Sequence, residues 1–544
     1  MKDYESFLHK LTKTRLSCGR NLTELTTYRG VPLWLLANFR FYLFMVDLLE
    51  GSGRSARNTL KWMTYKAVEP FLGFSKMIFA GFALKLYGSK KSNNRNGGKG
   101  TPKILFTSEN LEWRVIRDYE SNSLKKTDAF FDSIISQSAH KYNYLGVYPI
   151  GLKTRGLRIF VDKLRNWKIS YKPFELYWSL DALRRESGAS RYFRRLWKEL
   201  NKDDNFKKLC TYDGRNLYAE IGAELRFYFL VVFPRFIENI EVAKRMIRRE
   251  KPYLILIEEE YGEFERTLAV AARLEGTPTL GIQHGIIVPT HYGYIFEKED
   301  KGKMILPDFT VVYGQYHYDL LTKHGIYDPE RVIVTGQPRY DILHRVDGIY
   351  SKQKFLERNK INPAHRILLW TTQSHALSDG ENALNFETVF ETMQNIENVT
   401  LIVKQHPGEE ERHTEMIKDY LRKYKVDAIL TKKDSDTYEQ IYVCDLLMTK
   451  SSTTAMEAVA LNKPVIILNL SGEADLVDYV EQGVALGVYK EEDLKIAIEK
   501  LMASDLELAG NREQYIRKYL YKIDGKAAER VVNVIERIIH KEKY

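Results

Sequence analysis

From residue 252 onward, short apolar runs rich in β-branched residues alternate with stretches of helical periodicity. The first series of strand-like runs is YLILIEEE, TPTLGIQHG, FTVVYG and RVIVTGQP, and the second is RILLWTTQS, VTLIVKQHP, DAILTKKDS, DLLMTKSST and PVIILN. Strands that alternate with helices are typical of parallel sheets covered on both faces. The first series ends and the second begins near residues 340–365, so the pattern predicts two α/β domains. A last helix over 512–543 is long enough to cross back to the first.

The chain before residue 101 has a different pattern. Residues 88–103, GSKKSNNRNGGKGTPK, contain almost no apolar side chain and predict a flexible linker. The run KILFT directly after it predicts a further strand. We therefore predict a helical extension over residues 1–100, a first α/β domain over 101–345 and a second over 346–544.

Positive charge is concentrated in the same extension. Residues 1–100 hold 17 Lys and Arg against 6 Asp and Glu, whereas the other residues hold 66 of each and are neutral. Two apolar runs, 31–49 and 71–87, approach the length of a membrane span, but two charged residues interrupt each of them. Aromatic and aliphatic helices flanked by Lys and Arg are typical of the headgroup region.

These features predict that residues 1–100 contact an anionic membrane surface. The protein would then be cytoplasmic and peripheral on the inner face of the cell membrane. A helical cap packed on the catalytic domain would produce the same pattern, because buried helices have the same composition. The first twenty residues lack the apolar segment of a cleavable signal peptide.

Composition and missing motifs exclude several classes of protein. Hydrophobic residues at 44% and charged residues at 28% are globular values. Cys18, Cys210 and Cys444 form no CxxC pair and no metal-ligand spacing, which favours a reducing compartment. The chain has no GxxxxGKS/T loop, no GxGxxG after a strand and no GxSxG elbow, which argues against kinase-like, simple dinucleotide-binding and hydrolase functions. We expect no metal, no cofactor and no nucleic-acid partner.

Candidate binding residues lie where strands end, because ligands of parallel α/β sheets bind outside the carboxyl ends of the strands. The run KSSTTAMEAVA ends a strand and begins a helix. Lys450 brings positive charge, Ser451, Ser452 and Thr453 bring hydroxyl donors, and the helix adds free N–H groups, as in a phosphate site. Glu457 is a candidate acceptor for sugar hydroxyls. A Ser/Thr N-cap with Glu457 in a capping box explains these residues equally well.

Two other strand ends of the second series carry candidate donor-binding side chains. Pro407 favours an extended conformation for His406, so its imidazole should project from the strand end and bond a phosphate oxygen, with Lys404 assisting. A simple HP turn is the alternative. Gln373 and Ser374 end the first strand of this series and are less specific candidates.

In the first series, the strand end QHG places His284 beside Gly285, and glycine allows close backbone approach. An imidazole with a pKa of about 6.5 suits a general base or an acid that protonates a leaving group. A buried, hydrogen-bonded histidine is the alternative. YLILIEEE ends in three carboxylates, of which Glu259 or Glu260 could deprotonate an acceptor hydroxyl. A favourable interaction with the dipole of the next helix explains these glutamates more simply.

The ordered motifs GTPTLGIQHG, VVYG, VTGQPRYD, VKQHPGE and KSSTTAMEAVALNKPVI, over roughly residues 250–500, resemble a superfamily of surface-polysaccharide transferases. This superfamily includes CDP-glycerol glycerophosphotransferases and capsule polysaccharide and polysialic acid transferases. The resemblance implies the GT-B architecture, in which two Rossmann-like domains with parallel sheets face a cleft. It also implies metal-independent transfer from a nucleotide-activated donor bound to the second domain.

The resemblance implies roles for individual residues as well. His284 is expected near the acceptor and the reacting centre, and Glu457 near the ribose or the donor sugar. The segment EEEYG departs from the acidic-acidic-glycine signature of polysialyltransferases, which leaves the catalytic base unassigned. The residues expected to bind the donor phosphates or to form the donor-side loop are His406, Ser451, Ser452, Thr453, Gln373 and Ser374.

We therefore predict a glycosyltransferase that moves a sugar from a nucleotide sugar to a hydroxyl of a lipid-linked or cell-surface glycan. Three alternatives remain: a CDP-glycerol-type glycerophosphotransferase, a non-hydrolysing sugar-nucleotide epimerase, and a non-catalytic GT-B protein that binds nucleotide or glycan. An epimerase needs neither an acceptor nor a basic aromatic extension. Product analysis with the donor alone would separate it from a transferase.

Overall fold

The computed structural model describes residues 4–50, 78, 81, 101–118, 121, 123–150 and 154–540. The second apolar run, 71–87, and the predicted linker, 88–103, lie almost entirely outside these residues. Within the described ranges, no helix combines the length and the apolar character that crossing a membrane requires.

The N-terminal region is helical, as predicted, and packs on the first sheet's domain. Its helices are Tyr4–Lys13, Leu22–Leu25 and Leu33–Glu50, and a short hairpin joins β1 (Thr27–Tyr28) to β2 (Val31–Pro32). The helix Leu33–Glu50 buries Trp34 and Phe41 in the same apolar core as strand residues of that domain. This packing agrees with the alternative that the apolar run 31–49 belongs to a helical cap on the domain. Membrane contact stays a prediction.

In the described part of the chain, the first sheet has seven parallel strands in the order β13-β12-β11-β10-β3-β6-β7. The strand β10 reads LILIE and is buried along its whole length, as expected for a parallel strand covered by helices on both faces. Two short antiparallel hairpins, β4-β5 and β8-β9, lie outside the sheet. The strands are β3 (Lys103–Thr107), β4 (Trp113–Arg117), β5 (Leu124–Asp128), β6 (Asn143–Tyr148), β7 (Ser170–Pro173), β8 (Thr211–Tyr212), β9 (Arg215–Asn216), β10 (Leu254–Glu258), β11 (Thr279–Ile282), β12 (Phe309–Val312) and β13 (Val332–Val334).

Helices cover both faces of this sheet. The α-helices after residue 100 in this half are Asp132–Ser138, Thr154–Asn166, Leu180–Leu200, Asp204–Leu209, Tyr218–Phe227, Phe233–Glu250, Glu263–Glu275 and Gln315–Asp319. The helical stretch predicted from Ala219 to Glu250 contains a wider π-type turn over Tyr228–Val232. Short 3-10 turns are Phe174–Tyr177, Lys298–Asp300 and Pro329–Arg331, and a longer one, Pro338–Arg345, leads toward the second sheet.

The second sheet has six parallel strands among the described residues, in the order β16-β15-β14-β17-β18-β19. Its strands are β14 (Arg366–Thr371), β15 (Val399–Lys404), β16 (Ala428–Thr431), β17 (Leu446–Thr449), β18 (Val465–Leu468) and β19 (Leu486–Val488). Its helices are Val346–Ile349, Lys352–Asn359, Asp379–Gln394, Glu411–Tyr424, Thr437–Val443, Thr454–Ala460 and Asp493–Ala503, with a 3-10 turn at Ser374–Ala376.

The end of the chain returns to the first sheet. The predicted single helix over 512–543 is wrong in detail: Leu506–Tyr515, continued by a π-type turn, ends before Ala527–His540 begins. Tyr521 and Gly525 have φ angles of 65° and 72°, which a continuous helix cannot contain. The last helix packs in the core of the first sheet, and Asp341 accepts hydrogen bonds from its first two N–H groups. Two parallel α/β sheets facing a cleft constitute the predicted GT-B architecture.

Candidate active site

The carboxyl ends of β3, β10 and β11 bring four ionisable side chains together at one edge of the first sheet. Glu258 is the last residue of β10 and Glu259 follows it, whereas Glu112 lies after β3 and His284 after β11. The Nε2 atom of His284 lies 3.4 Å from Glu258 Oε1 and 3.9 Å from Glu112 Oε1. Its Nδ1 atom lies 3.4 Å from Glu259 Oε1. The predicted catalytic histidine therefore stands among three carboxylates, with 27% of its side chain exposed.

Two arginines keep Glu112 ionised. Arg114 Nη2 donates to its two carboxylate oxygens at 2.6 and 2.5 Å, and Arg339 Nη1 lies 3.7 Å from Oε2. Burial would raise the pKa of Glu112, but Arg114, His284 and Arg339 together lower it well below its ordinary range. The Nε atoms of both arginines are buried and have no hydrogen-bond partner among the described residues. These N–H groups are suited to an anionic ligand.

Glu258 has the opposite electrostatic character. It is 2% exposed, and neither carboxylate oxygen has a hydrogen-bond partner within the described ranges. Burial, followed by the charges of Glu112 and Asp128, raises its pKa well above the ordinary range, which favours the protonated form of Glu258. Burial and the charge of Glu259 raise the pKa of Glu109 to about 7. Neighbouring carboxyls with diverging pKa values are typical of acid-base catalytic sites.

The backbone around His284 is fixed by the end of β12. Gln283 Oε1 accepts a hydrogen bond from Tyr313 N at 2.8 Å, and Gln283 Nε2 donates to the Gly285 carbonyl at 2.7 Å. Tyr313 Oη donates to the His284 carbonyl at 2.6 Å. The hydrogen bonds hold the loop, and the imidazole is directed at the carboxylates and partly exposed. The predicted catalytic role of His284 stays a prediction.

Glu260, the second glutamate with a predicted catalytic role, points away from this edge. Its carboxylate accepts hydrogen bonds from Thr310 Oγ1 at 2.9 Å and Tyr327 Oη at 3.0 Å inside the domain. A Cβ atom on Gly281 would lie 1.9 Å from Glu260 Oε1, so the glycine leaves room for the carboxyl. Glu259 has a φ of 48°, and this turn sends the next side chain into the core. The prediction for Glu260 is therefore corrected, because its oxygens serve the core.

On the second domain, His406 follows β15 and is exposed. Its Nδ1 atom accepts a hydrogen bond from Gly408 N at 3.0 Å, so the neutral ring carries its proton on Nε2. Although the side chain reaches solvent, partial desolvation and the neighbouring His375 and Arg114 lower its pKa to about 4. The ring stacks on His375 with centroids 4.2 Å apart. A neutral imidazole with a free Nε2–H is a suitable donor to a phosphate oxygen.

Lys404, Gln373 and Ser374 hold loops together at the same edge. Lys404 is buried, and its Nζ donates to backbone carbonyls of the loop after β16, the shortest contact being 2.7 Å. Gln373 Oε1 accepts a hydrogen bond from Ser451 N at 2.8 Å. Ser374 is 2% exposed and its N–H donates to Glu409 Oε1 at 2.8 Å. Because the ammonium group of Lys404 is used by backbone carbonyls, its predicted direct role is corrected to one in holding the loop. Ser374 and Gln373 line a small pocket together with Lys450, and their predicted role stays a prediction.

The segment 450–453 follows β17 and remains partly exposed. Lys450 Nζ donates to Glu381 Oε1 at 3.3 Å, and Ser452 Oγ accepts from Thr454 N at 3.2 Å. Thr453 is the residue before the helix, but its side chain makes no capping hydrogen bond. The capping box with Glu457 is absent, but the bond from Thr454 N to Ser452 agrees with the simpler part of that alternative, a serine that caps the start of the helix. The predicted contacts of Ser451, Ser452 and Thr453 with donor phosphates stay predictions.

Glu457 is buried in the helix Thr454–Ala460 and faces the arginines of the cleft. Burial raises its pKa to about 7, although the charges of Arg339 and Arg114 and a contact with Tyr340 lower it. A carboxyl that is 6% exposed and near neutrality can accept or donate a hydrogen bond to a ligand hydroxyl. Its predicted contact with a ribose or donor sugar stays a prediction.

Three residues of the first-domain edge could also hold a metal ion. Glu112, Glu258 and His284 each offer one ligand atom, and these atoms lie within 4.8 Å of one another. Two arginines already neutralise Glu112, and burial disfavours the charged form of Glu258, so a divalent cation would have to overcome both effects. The expectation that no metal is used stays a prediction.

Sequence reasoning missed Glu109, Glu112, Arg114 and Glu258. A signal for the first three was present, because the strand-end rule also applies to the loop after KILFT, which reads SENLEWR. Glu258 belongs to the acidic run that was recognised, but its direction depends on the turn at Glu259. His375 carries no comparable signal, because it contacts the site only by stacking on His406, which follows a different strand.

The comparisons with known proteins concern mainly the second half of the chain. The family model of UDP-N-acetylglucosamine 2-epimerase matches residues 307–536, which is less than half of the chain. No curated protein matches the sequence. Similar solved structures include a putative UDP-N-acetylglucosamine 2-epimerase from Listeria monocytogenes, with 14% identity over 82% of this chain and 98% of that one and a TM-score of 0.49.

Two further solved structures are similar to about the same extent. The UDP-GlcNAc 2-epimerase from Neisseria meningitidis bound to UDP-GlcNAc is 13% identical over 80% of this chain and 100% of that one, with a TM-score of 0.49. A variant of the wall teichoic acid polymerase TagF is 11% identical over 87% of this chain and 98% of that one, with a TM-score of 0.46.

The family match overturns one prediction. A nucleotide-sugar-dependent glycosyltransferase was expected, whereas the model that matches residues 307–536 is that of an epimerase. The transferase prediction is therefore wrong, and the epimerase carried as an alternative agrees better with the comparison. The chain has a two-domain GT-B fold and a second half similar to UDP-N-acetylglucosamine 2-epimerases.

Proposed function

We propose that the chain is a non-hydrolysing epimerase that inverts C2 of a UDP-activated N-acetylhexosamine, with UDP-N-acetylglucosamine as the first candidate. The observation that carries the proposal is the group of carboxyls around His284, in which the pKa of Glu258 is raised and that of Glu112 is lowered. The family match over residues 307–536 supports the choice of nucleotide and sugar.

Inversion at C2 requires one group to remove a proton and another to return it on the opposite face. No carbonyl group adjoins C2, so departure of the nucleotide from C1 has to accompany proton removal. The electrons of the C2–H bond form a C1=C2 double bond, and the C1–O bond breaks with its electron pair staying on the diphosphate. Return of a proton to C2 and of the diphosphate oxygen to C1 completes the reaction, without an oxidant or an acceptor.

Glu109 and Glu258 have the proton affinities for these two steps. A pKa of about 7 leaves Glu109 partly ionised at neutral pH, which suits a base, whereas burial favours the protonated form of Glu258, which suits the acid. Glu109 follows β3 and Glu258 ends the neighbouring β10, so they approach the cleft from two strand ends. After each turnover, the proton that Glu109 has gained must return to Glu258. His284 contacts Glu258, and its charge acts on Glu109, so its imidazole is the group that we assign to carry this proton.

The departing diphosphate needs compensation for its charge. The unpaired Nε atoms of Arg114 and Arg339 and the Nε2–H of His406 are the donors that we assign to it. The hydroxyls of Ser451 and Ser452 would complete the phosphate contacts. Donors that are in place before reaction cost little reorganisation, so they stabilise the separated diphosphate and sugar.

The test is proton NMR of UDP-N-acetylglucosamine with the purified protein in D₂O and no acceptor. We expect the C2 epimer to appear and deuterium to replace the C2 proton in both sugars. Glu258→Gln keeps the shape but has no carboxyl proton to deliver, so the appearance of deuterium-labelled C2 epimer should fall by about 10²-fold or more. Glu260→Gln is the matched control, because Glu260 is also buried but lies outside the cleft.

Two results would reject the proposal. One is the absence of both epimer and deuterium with any UDP-N-acetylhexosamine, when thermal shift shows that UDP binds. The other is equal loss of labelled epimer in both variants, since only general destabilisation would then explain it.

A further inference from the structure

A groove of about 600 Å³ lies between the helices Leu180–Leu200 and Tyr218–Phe227, and no residue of the candidate active site lines it. The sequence pattern predicts no function for either helix. The groove is therefore separate from the chemistry proposed above.

Four basic side chains line the groove, namely Arg194, Lys198, Lys202 and Arg226, and no acidic residue does. All four are exposed, and none takes part in an ion pair with another described residue. In the same helix, Arg184 is paired with Asp181 and Arg185 with Glu241, whereas the four groove residues have no such partner among the described residues. The lining of the groove is therefore positively charged.

The floor of the groove is apolar. Trp197, Ala219, Ala223 and Leu230 contribute to it, and Tyr218 adds a ring with a hydroxyl. Long cationic side chains around an aromatic and aliphatic floor match a ligand that has an anionic head and an apolar body. A peptide would need paired backbone hydrogen bonds, for which the lining offers few uncharged polar groups.

We propose that this groove binds the phosphate headgroup and the adjoining acyl carbons of an anionic phospholipid and thereby docks the protein on an anionic membrane surface. The site lies on residues 194–230, whereas the helix Leu33–Glu50 of the predicted membrane-binding extension packs in the core. The proposal does not depend on the reaction catalysed.

The experiment is co-sedimentation of the full chain with vesicles of phosphatidylcholine alone or of phosphatidylcholine mixed with phosphatidylglycerol. We expect binding to the mixed vesicles only, weakening as salt is raised. Each basic side chain near such a surface contributes about fivefold in affinity, so Lys198→Ala with Arg226→Ala should reduce binding about 25-fold. The charge-matched control is Arg273→Ala with Lys490→Ala, two exposed positions outside the groove.

A second variant tests the apolar floor without a change of charge. Ala223 is exposed and lines the groove, so Ala223→Trp should fill it and weaken binding while the far-ultraviolet circular dichroism stays unchanged. Inorganic phosphate at matched ionic strength should not compete, because it has no apolar part.

Several outcomes would overturn the proposal. Equal weakening by the groove pair and the control pair would mean diffuse electrostatic attraction. Retained binding in both groove variants would place the membrane contact elsewhere. Competition by inorganic phosphate would identify a free-phosphate site, and capture of an acidic peptide without vesicle binding would identify a protein partner.

Discussion

Glu457 allows a prediction in which stability and ligand binding change in opposite directions. A carboxyl whose pKa is higher in the folded than in the unfolded chain binds its proton more tightly when folded. The free energy of unfolding therefore falls as pH rises between the two pKa values, and the penalty is complete above the folded value. For Glu457 these values are 4.5 and about 7, because burial outweighs the attraction of Arg339 and Arg114.

The expected penalty in the free energy of unfolding follows from these two pKa values. Their difference corresponds to a penalty of about 3 kcal/mol at a pH of about 8.5 and of less than about 1 kcal/mol at a pH of about 5. Glutamine keeps the shape and removes the charge. Glu457→Gln should therefore be more stable than the parent by up to about 3 kcal/mol at the higher pH and nearly equal at the lower one.

Urea unfolding at both pH values measures the stability, and a UDP titration measures binding. We expect Glu457→Gln to bind UDP more weakly than the parent, although it is more stable. A buried carboxyl that destabilises the fold is retained where it contributes to ligand binding. Glu260→Gln is the control: burial also raises the pKa of Glu260 to about 7, but its hydrogen bonds with Thr310 and Tyr327 would be disturbed. Its gain should therefore be smaller and UDP binding unchanged.

One result would refute this reasoning. If Glu457→Gln were less stable than the parent at the higher pH, the carboxylate would be ionised and favourably paired with Arg339. The burial argument would then fail, and Glu457 would have a structural role despite the missing capping hydrogen bond.

Three further predictions address the donor site, the metal question and the N-terminal helix. UDP should raise the melting temperature of the parent and of His344→Ala, which is an exposed control, and should raise the melting temperature of His406→Ala much less. If all three proteins showed the same shift, His406 would not belong to the phosphate site. EDTA should leave C2 exchange unchanged, and a loss that Mn²⁺ restores would contradict metal-independent chemistry. Asn38→Ala should lower the free energy of unfolding by about 1–3 kcal/mol, because Asn38 Oδ1 accepts from the buried Arg266 at 2.8 Å; a urea midpoint within error of the parent would contradict this.

The fold could be predicted where burial is complete. Runs such as LILIE in β10 and VIIL in β18 are buried on both faces, so their apolar composition identifies them without knowledge of the partners. The strands β6 and β7 were missed, because NYLGVY and SYKP carry polar or aromatic residues that alternate weakly. Their place in the sheet depends on pairing of β6 with β3 and of β7 with β6, which is a long-range property.

The site could be predicted only in part, for a related reason. His284 and His406 end strands, so topology alone brings them to the facing edges of the two sheets. Arg339 lies outside any strand, and its position beside Glu112 depends on how the turn between the sheets packs. The difference between Glu258 and Glu260 depends on the φ of a single residue between them, which no pattern of residue types specifies.

Epimerase and transferase could not be separated from the motifs because both reactions need the same nucleotide site. The residues that we propose as phosphate donors, His406 and the segment 450–453, would stabilise a departing nucleotide in either case, and they are among the residues that carry the family resemblance. The reactions differ in what happens at the other domain: a transferase needs a base that faces an acceptor hydroxyl, whereas an epimerase needs a proton donor and a base that both reach C2. Glu258 is buried with no hydrogen-bond partner in the described ranges, and burial raises its pKa well above the ordinary range. It therefore retains a proton more readily than an ordinary glutamate, as the epimerase proposal requires of its acid. The proton affinity that would separate the two reactions depends on burial and neighbouring charge rather than on residue type.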